Sequence, residues 1–171
     1  KLAEMGDPTG RNHAAFPFLS KSTGNFYIIS GDENFPWGVM ATQGKPSNPR
    51  GGFHFLNFTD PDNPKEDAVY QVPEAGSHNM WVYDDVLMAA FYQGGLRIVD
   101  ISGELLGDIY SQGREIAVYQ SAHKEGKIPN ATMVWGAQPY KDYIFFADMN
   151  SGLYCIQLEK IGKRSGRIGP G

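Results

Sequence analysis

Three side chains in this 171-residue chain carry the chemistry of a transition-metal site: His13, His78 and Glu33. Imidazole nitrogens combined with a carboxylate are the donors that borderline divalent ions accept. No short motif links the three, so only a fold that returns the chain to one point can make them a site. His13 and His78 hold similar places, each at the start of a strand-like run. Glu33 closes Gly31-Asp32-Glu33, just after the apolar run Phe26-Tyr27-Ile28-Ile29-Ser30. Gln138 sits where a third run offers a further ligand. The competing reading is plainer: polar groups that line a hydrated channel and hydrogen-bond the backbone. His54, between Phe53 and Phe55, reads as structural.

The elements that must position these residues show as an internal repeat. Each unit is an apolar β run, a turn, and then Gly with an apolar residue opening a second β run. Gly52-Phe53, Gly95-Leu96 and Gly152-Leu153 are the three openings. Glycine at the turn exit tolerates positive φ and permits tight reversal. A strand precedes each hairpin, around residues 13–18, 78–83 and 133–135. A further strand follows it at 68–72 and at 105–110. The openings recur at spacings of 43 and 57 residues, the longer one containing the loop at 121–131; four strands per unit and a repeat of roughly 40–50 residues are the signature of propeller blades.

The expected fold is therefore all-β: about three four-stranded antiparallel blades of a β-propeller, an incomplete ring. The organisation expected is residues 1–10 as the end of a preceding blade and 11–75 as a blade with an insertion at 31–51. Residues 76–115 form the next blade, 116–159 a blade with a leading loop at 121–131, and 160–171 a basic flexible tail. Propellers have four to eight blades, and open edges invite further pairing. The missing partners are other blades of the same parent chain, another protein chain, or a second copy. In this arrangement His13, Glu33 and His78 converge near one mouth of the central channel.

The run Gly95-Leu96-Arg97-Ile98-Val99-Asp100-Ile101 resembles the LVIVD-repeat motif. Residues 52–60, GFHFLNFTD followed by PDNP, resemble the same motif with its trailing turn, and Ser77-His78-Asn79-Met80-Trp81-Val82 resembles a blade-opening strand. The resemblance covers most of residues 11–159. It implies a β-propeller of an exported or cell-surface protein, in a family whose members seldom have an assigned function.

Composition narrows the classes. Net charge is −4 and the basic residues cluster only in the tail, which speaks against nucleic-acid binding. No apolar run approaches the ~18 residues of a transmembrane helix. The single cysteine, Cys155, excludes an internal disulfide and reads as a small apolar strand residue. No nucleophile elbow, phosphate loop or paired-cysteine site is present, so whether the chain is an enzyme stays open. Asp60-Pro61-Asp62-Asn63-Pro64 reads as an Asx turn rather than a calcium loop. Asn130 is the better of two glycosylation acceptor matches. Trp81, Tyr92 and Trp135 read as packing aromatics. Phe35 and Trp37, inside the insertion, are the candidate interaction surface. Two functions follow: a non-catalytic module for protein or matrix interaction, or a propeller that binds a divalent metal or small ligand through His13, Glu33 and His78.

Overall fold

The computed structural model describes residues 3–6, 9, 11–33, 51–73 and 75–158. Phe35 and Trp37 lie outside these residues, as do most of the insertion and the basic tail. The described residues are all-β, with no helix, and form three sheets.

The first sheet is a meander of β1 (Asn12–Leu19), β2 (Phe26–Asp32), β3 (Phe53–Asn57) and β4 (Lys65–Tyr70). The second is built from β5 (Met80–Tyr83), β6 (Val86–Phe91) and β7 (Gly95–Asp100). After β7 the chain makes the short β8 (Gly107–Asp108), then supplies β9 (Glu115–Tyr119) as the second sheet's last strand. The third sheet is β10 (Val134–Tyr140), β11 (Tyr143–Asp148) and β12 (Gly152–Ile156). Neighbours within each meander are antiparallel. None of the sheets closes on itself.

Turn chemistry explains the hairpins. Asp84 and Asp85 both take positive φ, 56° and 54°, which gives the two-residue reversal whose twist suits a hairpin. The buried Asp85 carboxylate then accepts from the amides of Lys21 and Ser22, at 2.9 and 2.8 Å. That ties the β1–β2 turn of the first sheet to the β5–β6 turn of the second. Gly95 has φ 81°, and a Cβ there would lie 2.5 Å from the Tyr119 main-chain oxygen. At Gly95 glycine is thus required by both conformation and space, while Gly152 needs it for conformation alone, with φ 110°, and Gly52 for space alone.

The sheets stack through two apolar cores. Between the first and second sheets lie Tyr27, Ile29, Phe53, Phe55, Tyr70, Leu87, Phe91 and Val99. Each such fully buried large side chain contributes about 1.5–3 kcal/mol relative to exposure. Between the second and third lie Met88, Ala90, Leu96, Ile98, Val134, Ile144 and Phe146. The register makes the positions equivalent: Ile29, Phe53 and Phe55 in the first sheet match Met88, Leu96 and Ile98 in the second. The same positions in the third sheet are Phe145, Leu153 and Cys155. Those three are exposed, Leu153 to 77%. Cys155 is therefore in a strand but not packed.

One strand differs from the sequence expectation. Residues 105–110 are not the fourth strand of the second unit; that strand is β9. Leu105 and Ile109 are buried in the first core, and β8 pairs parallel with β4 of the preceding sheet. The alternation of apolar residues there reflects a loop filling the seam between two sheets. Residues 3–6, expected to end a preceding blade, belong to no strand. Among the described residues the third sheet has three strands, without a fourth.

Candidate metal centre

A repeated backbone irregularity aims three side chains at one place. β1 pairs with β2 as Asn12↔Asp32 and Ala14↔Gly31, leaving His13 as the extra residue of a β-bulge. β10 pairs with β11 as Val134↔Asp148 and Gly136↔Ala147, leaving Trp135 extra in the same way. In the second sheet the Ala90 carbonyl accepts from the His78 amide at 3.0 Å. The Ala90 amide donates to the Asn79 carbonyl at 2.9 Å, again two residues against one. His13, His78 and Trp135 are thus equivalent positions at the head of each sheet's first strand. A bulge turns a side chain out of the pleat, which is how strands re-aim residues next to sites.

A second equivalent pair comes from the following strands. Glu33 and Tyr92 are the first residues after β2 and β6. The Tyr92 hydroxyl donates to Glu33 Oε1 at 2.7 Å. Glu33 Oε2 lies 3.3 Å from His13 Nδ1, and Glu33 Oε1 lies 3.8 Å from His78 Nε2. The two imidazole rings lie against one another, centroids 4.4 Å apart and planes tilted by 40°. One donor atom from each of His13, Glu33 and His78 falls within 4.8 Å of the other two. Donors bound tetrahedrally at 2.0–2.1 Å stand roughly 3.4 Å apart. The three side chains are therefore close to coordination distance, and two imidazoles with a carboxylate fit a borderline divalent ion.

The protonation of His78 follows from its partners. Its Nδ1 lies 2.8 Å from the Trp135 carbonyl oxygen. A carbonyl only accepts, so Nδ1 carries the proton and Nε2 carries the lone pair. The Trp135 indole N–H donates to that Nε2. Burial, reinforced by the neighbouring His13, holds the His78 imidazole below its ordinary pKa. It is thus held as the neutral imidazole that metals bind. Burial and the Glu33 carboxylate push the Tyr92 hydroxyl up, keeping it a donor.

Other candidates stand apart from this cluster. Gln138 is three residues beyond Trp135 on β10 and lines a cavity of about 470 Å³ with Asn79, Met80, Trp81 and Phe145. Among the described residues the metal-ligating group holds only His13, Glu33 and His78. Asn130 is exposed with φ 59°, while Thr132 of the same acceptor pattern is buried. The Asp60 carboxylate accepts from the Asp62 amide and the Asn63 side chain, a closed turn. His123 is exposed in the leading loop. His54 is buried between two carboxylates, Glu66 at 2.7 Å and the fully buried Asp32 at 3.4 Å.

Sequence reading missed Trp135 and Tyr92 as members of the cluster, treating both as packing aromatics. Tyr92 is buried, but its hydroxyl holds Glu33; Trp135 is 40% exposed and works through polar atoms. Their repeat positions, opposite His78 and Glu33 in the aligned units, were the available signal. Comparison with known protein families, with curated proteins and with solved structures finds no match.

Proposed function

We propose that this chain is a segment of a β-propeller that holds a divalent transition-metal ion where its inner strands converge. The observation that carries the reading is the approach of the His13, Glu33 and His78 donor atoms to within 4.8 Å. The three come from separate stretches of chain, and two of the three sit at repeated bulges. Tyr92 and the Trp135 carbonyl supply the outer hydrogen bonds that orient metal ligands in built sites. A bound ion there supplies Lewis acidity, and the residues provide a neutral imidazole and a tethered carboxylate to hold it.

The propeller reading draws support from the faces of the sheets. Phe145, Leu153 and Cys155 occupy the positions at which the first two sheets bury Ile29, Phe53, Phe55, Met88, Leu96 and Ile98. A further sheet of the same repeat is the natural cover for that face.

The test is calorimetric titration of Zn(II), Ni(II) and Co(II) into chelator-treated protein, with the visible spectrum of the Co(II) form. Saturable one-to-one binding, lost in His78→Ala, supports the reading. Heats and spectra unchanged by His13→Ala and His78→Ala together contradict it. The interaction-module reading keeps one specific observation, the exposed apolar face of the third sheet. A pull-down whose capture is lost in Leu153→Glu but unaffected by His78→Ala favours it over metal binding.

A further inference from the structure

We propose that Trp135 gates the candidate metal centre: its indole N–H occupies the His78 lone pair, and an ion binds only as the indole leaves. This rests on the metal reading above and names the residue that regulates access. Trp135 makes two contacts with one imidazole. Its main-chain carbonyl accepts a hydrogen bond from the Nδ1–H, fixing the tautomer that points a lone pair from Nε2. Its side chain then donates to that same Nε2. The indole stands edge-on to the imidazole, with centroids 5.1 Å apart and planes at 86°.

The two contacts are separable. The carbonyl belongs to β10 and is held by the sheet, and it also accepts from the Asn79 amide at 3.3 Å. The side chain belongs to a bulge and is 40% exposed, so it has solvent to move into. Glu33, by contrast, is anchored: its amide donates to the Arg11 carbonyl and its carboxylate accepts from Tyr92. His13 and Glu33 are both partly open to solvent, 32% and 39% by side chain. An arriving ion can therefore meet these two first and exchange with the indole at His78 last. The chain satisfies the buried imidazole when empty and releases it when loaded, so no lone pair is left unpaired in either state.

Trp135→Phe removes the competing donor while keeping the carbonyl that sets the tautomer. One neutral hydrogen bond has a net value that corresponds to a gain of about 3- to 10-fold in affinity. The experiment titrates Zn(II) into wild type and Trp135→Phe by calorimetry and follows the Trp135 indole N–H in ¹⁵N-indole-labelled wild type by NMR. The expected result is tighter binding by the variant and a wild-type indole signal that moves toward its solvent-exposed position as Zn(II) saturates. Equal or weaker binding by Trp135→Phe, with an unmoved wild-type indole signal, overturns the gate and leaves the metal centre standing. Binding by neither protein overturns both. Should the variant fold poorly, the wild-type indole signal decides alone: movement on saturation supports the gate, and its absence overturns it.

Discussion

His13 and His78 stand at the same position of consecutive sheets, each displaced from its strand by a bulge, and their rings meet at 4.4 Å. Two groups that repel when both are protonated are brought together by a backbone device repeated in each unit. The lowered pKa of His78 follows first from burial and then from this neighbour. A shared cation lets both rings use their lone pairs at once.

Tyr92 is the residue whose loss should weaken the centre without unfolding it. It lies outside the proposed ligand set and touches the carboxylate through one hydrogen bond of 2.7 Å. Tyr92→Phe keeps the ring's packing. Removing an outer partner of a metal ligand typically costs 10- to 100-fold in affinity. Calorimetry should therefore show Zn(II) affinity reduced by about 10-fold or more, with an unchanged circular dichroism spectrum. Unchanged affinity would mean that Glu33 needs no positioning.

Stability should depend on pH through His54. Burial alone would depress this imidazole, but hydrogen bonds to Asp32 and Glu66 outweigh it and hold its pKa above the ordinary value. The folded state thus binds more protons than the unfolded state between those two values. Stabilisation is full below the ordinary histidine value near 6.5 and is lost as pH rises through the folded value. Denaturant unfolding between pH 6 and 9 should show this decline. His54→Phe should abolish the dependence and destabilise the fold by up to about 3 kcal/mol, because the buried Asp32 loses its charged partner and keeps, among the described residues, only the Thr9 hydroxyl. A flat wild-type profile would contradict the assignment.

Gly95→Ala tests the repeat's opening turn. The substitution forces a side chain into positive φ and against the Tyr119 carbonyl. The conformation alone costs about 1–3 kcal/mol, and the close approach adds to it. Gly113→Ala is the control, since φ there is also positive, 69°, but nothing lies within 4 Å of its Cβ. Chemical denaturation should show the larger loss at Gly95. Equal losses would mean that the steric contact contributes nothing.

The exposed apolar residues of the third sheet should make the chain self-associate. Leu153 is 77% exposed beside Phe145 and Tyr143, an apolar patch on a strand surface. Analytical ultracentrifugation should show concentration-dependent association that Leu153→Glu reduces without changing the melting temperature. A monomer at all concentrations would mean that the patch is inert.

Much of this arrangement was legible in the residues, and the exceptions have physical causes. β6, β7, β11 and β12 show because apolar runs and a turn glycine mark hairpins that need no distant context. Residues 105–110 misled because Leu105 and Ile109 are buried by a seam between sheets, and periodicity cannot distinguish a seam from a strand. β9 was hidden by that same run: Glu115–Tyr119 has strand character of its own, but residues 105–110 already filled the fourth-strand place in the repeat. At the candidate centre, His13, Glu33 and His78 carry recognisable donors, and the repeat alignment placed them together. Trp135 escaped because Gln138 was the polar residue sought in the third unit, although His78 and Trp135 each stand eight residues ahead of Val86 and Tyr143; the bulge in β10 confirms that equivalence. Gln138, two strand positions further on from Gly136, faces another cavity.

The most direct measurement is the metal content of natively purified, dialysed protein by elemental mass spectrometry, for wild type and His78→Ala. The account expects close to one divalent transition-metal ion per chain in wild type and its loss in the variant, with both proteins folded alike. Metal far below one per chain in correctly assembled wild type, even after incubation with Zn(II), Ni(II) or Co(II) and dialysis, would contradict it. So would a full complement that His78→Ala leaves unchanged.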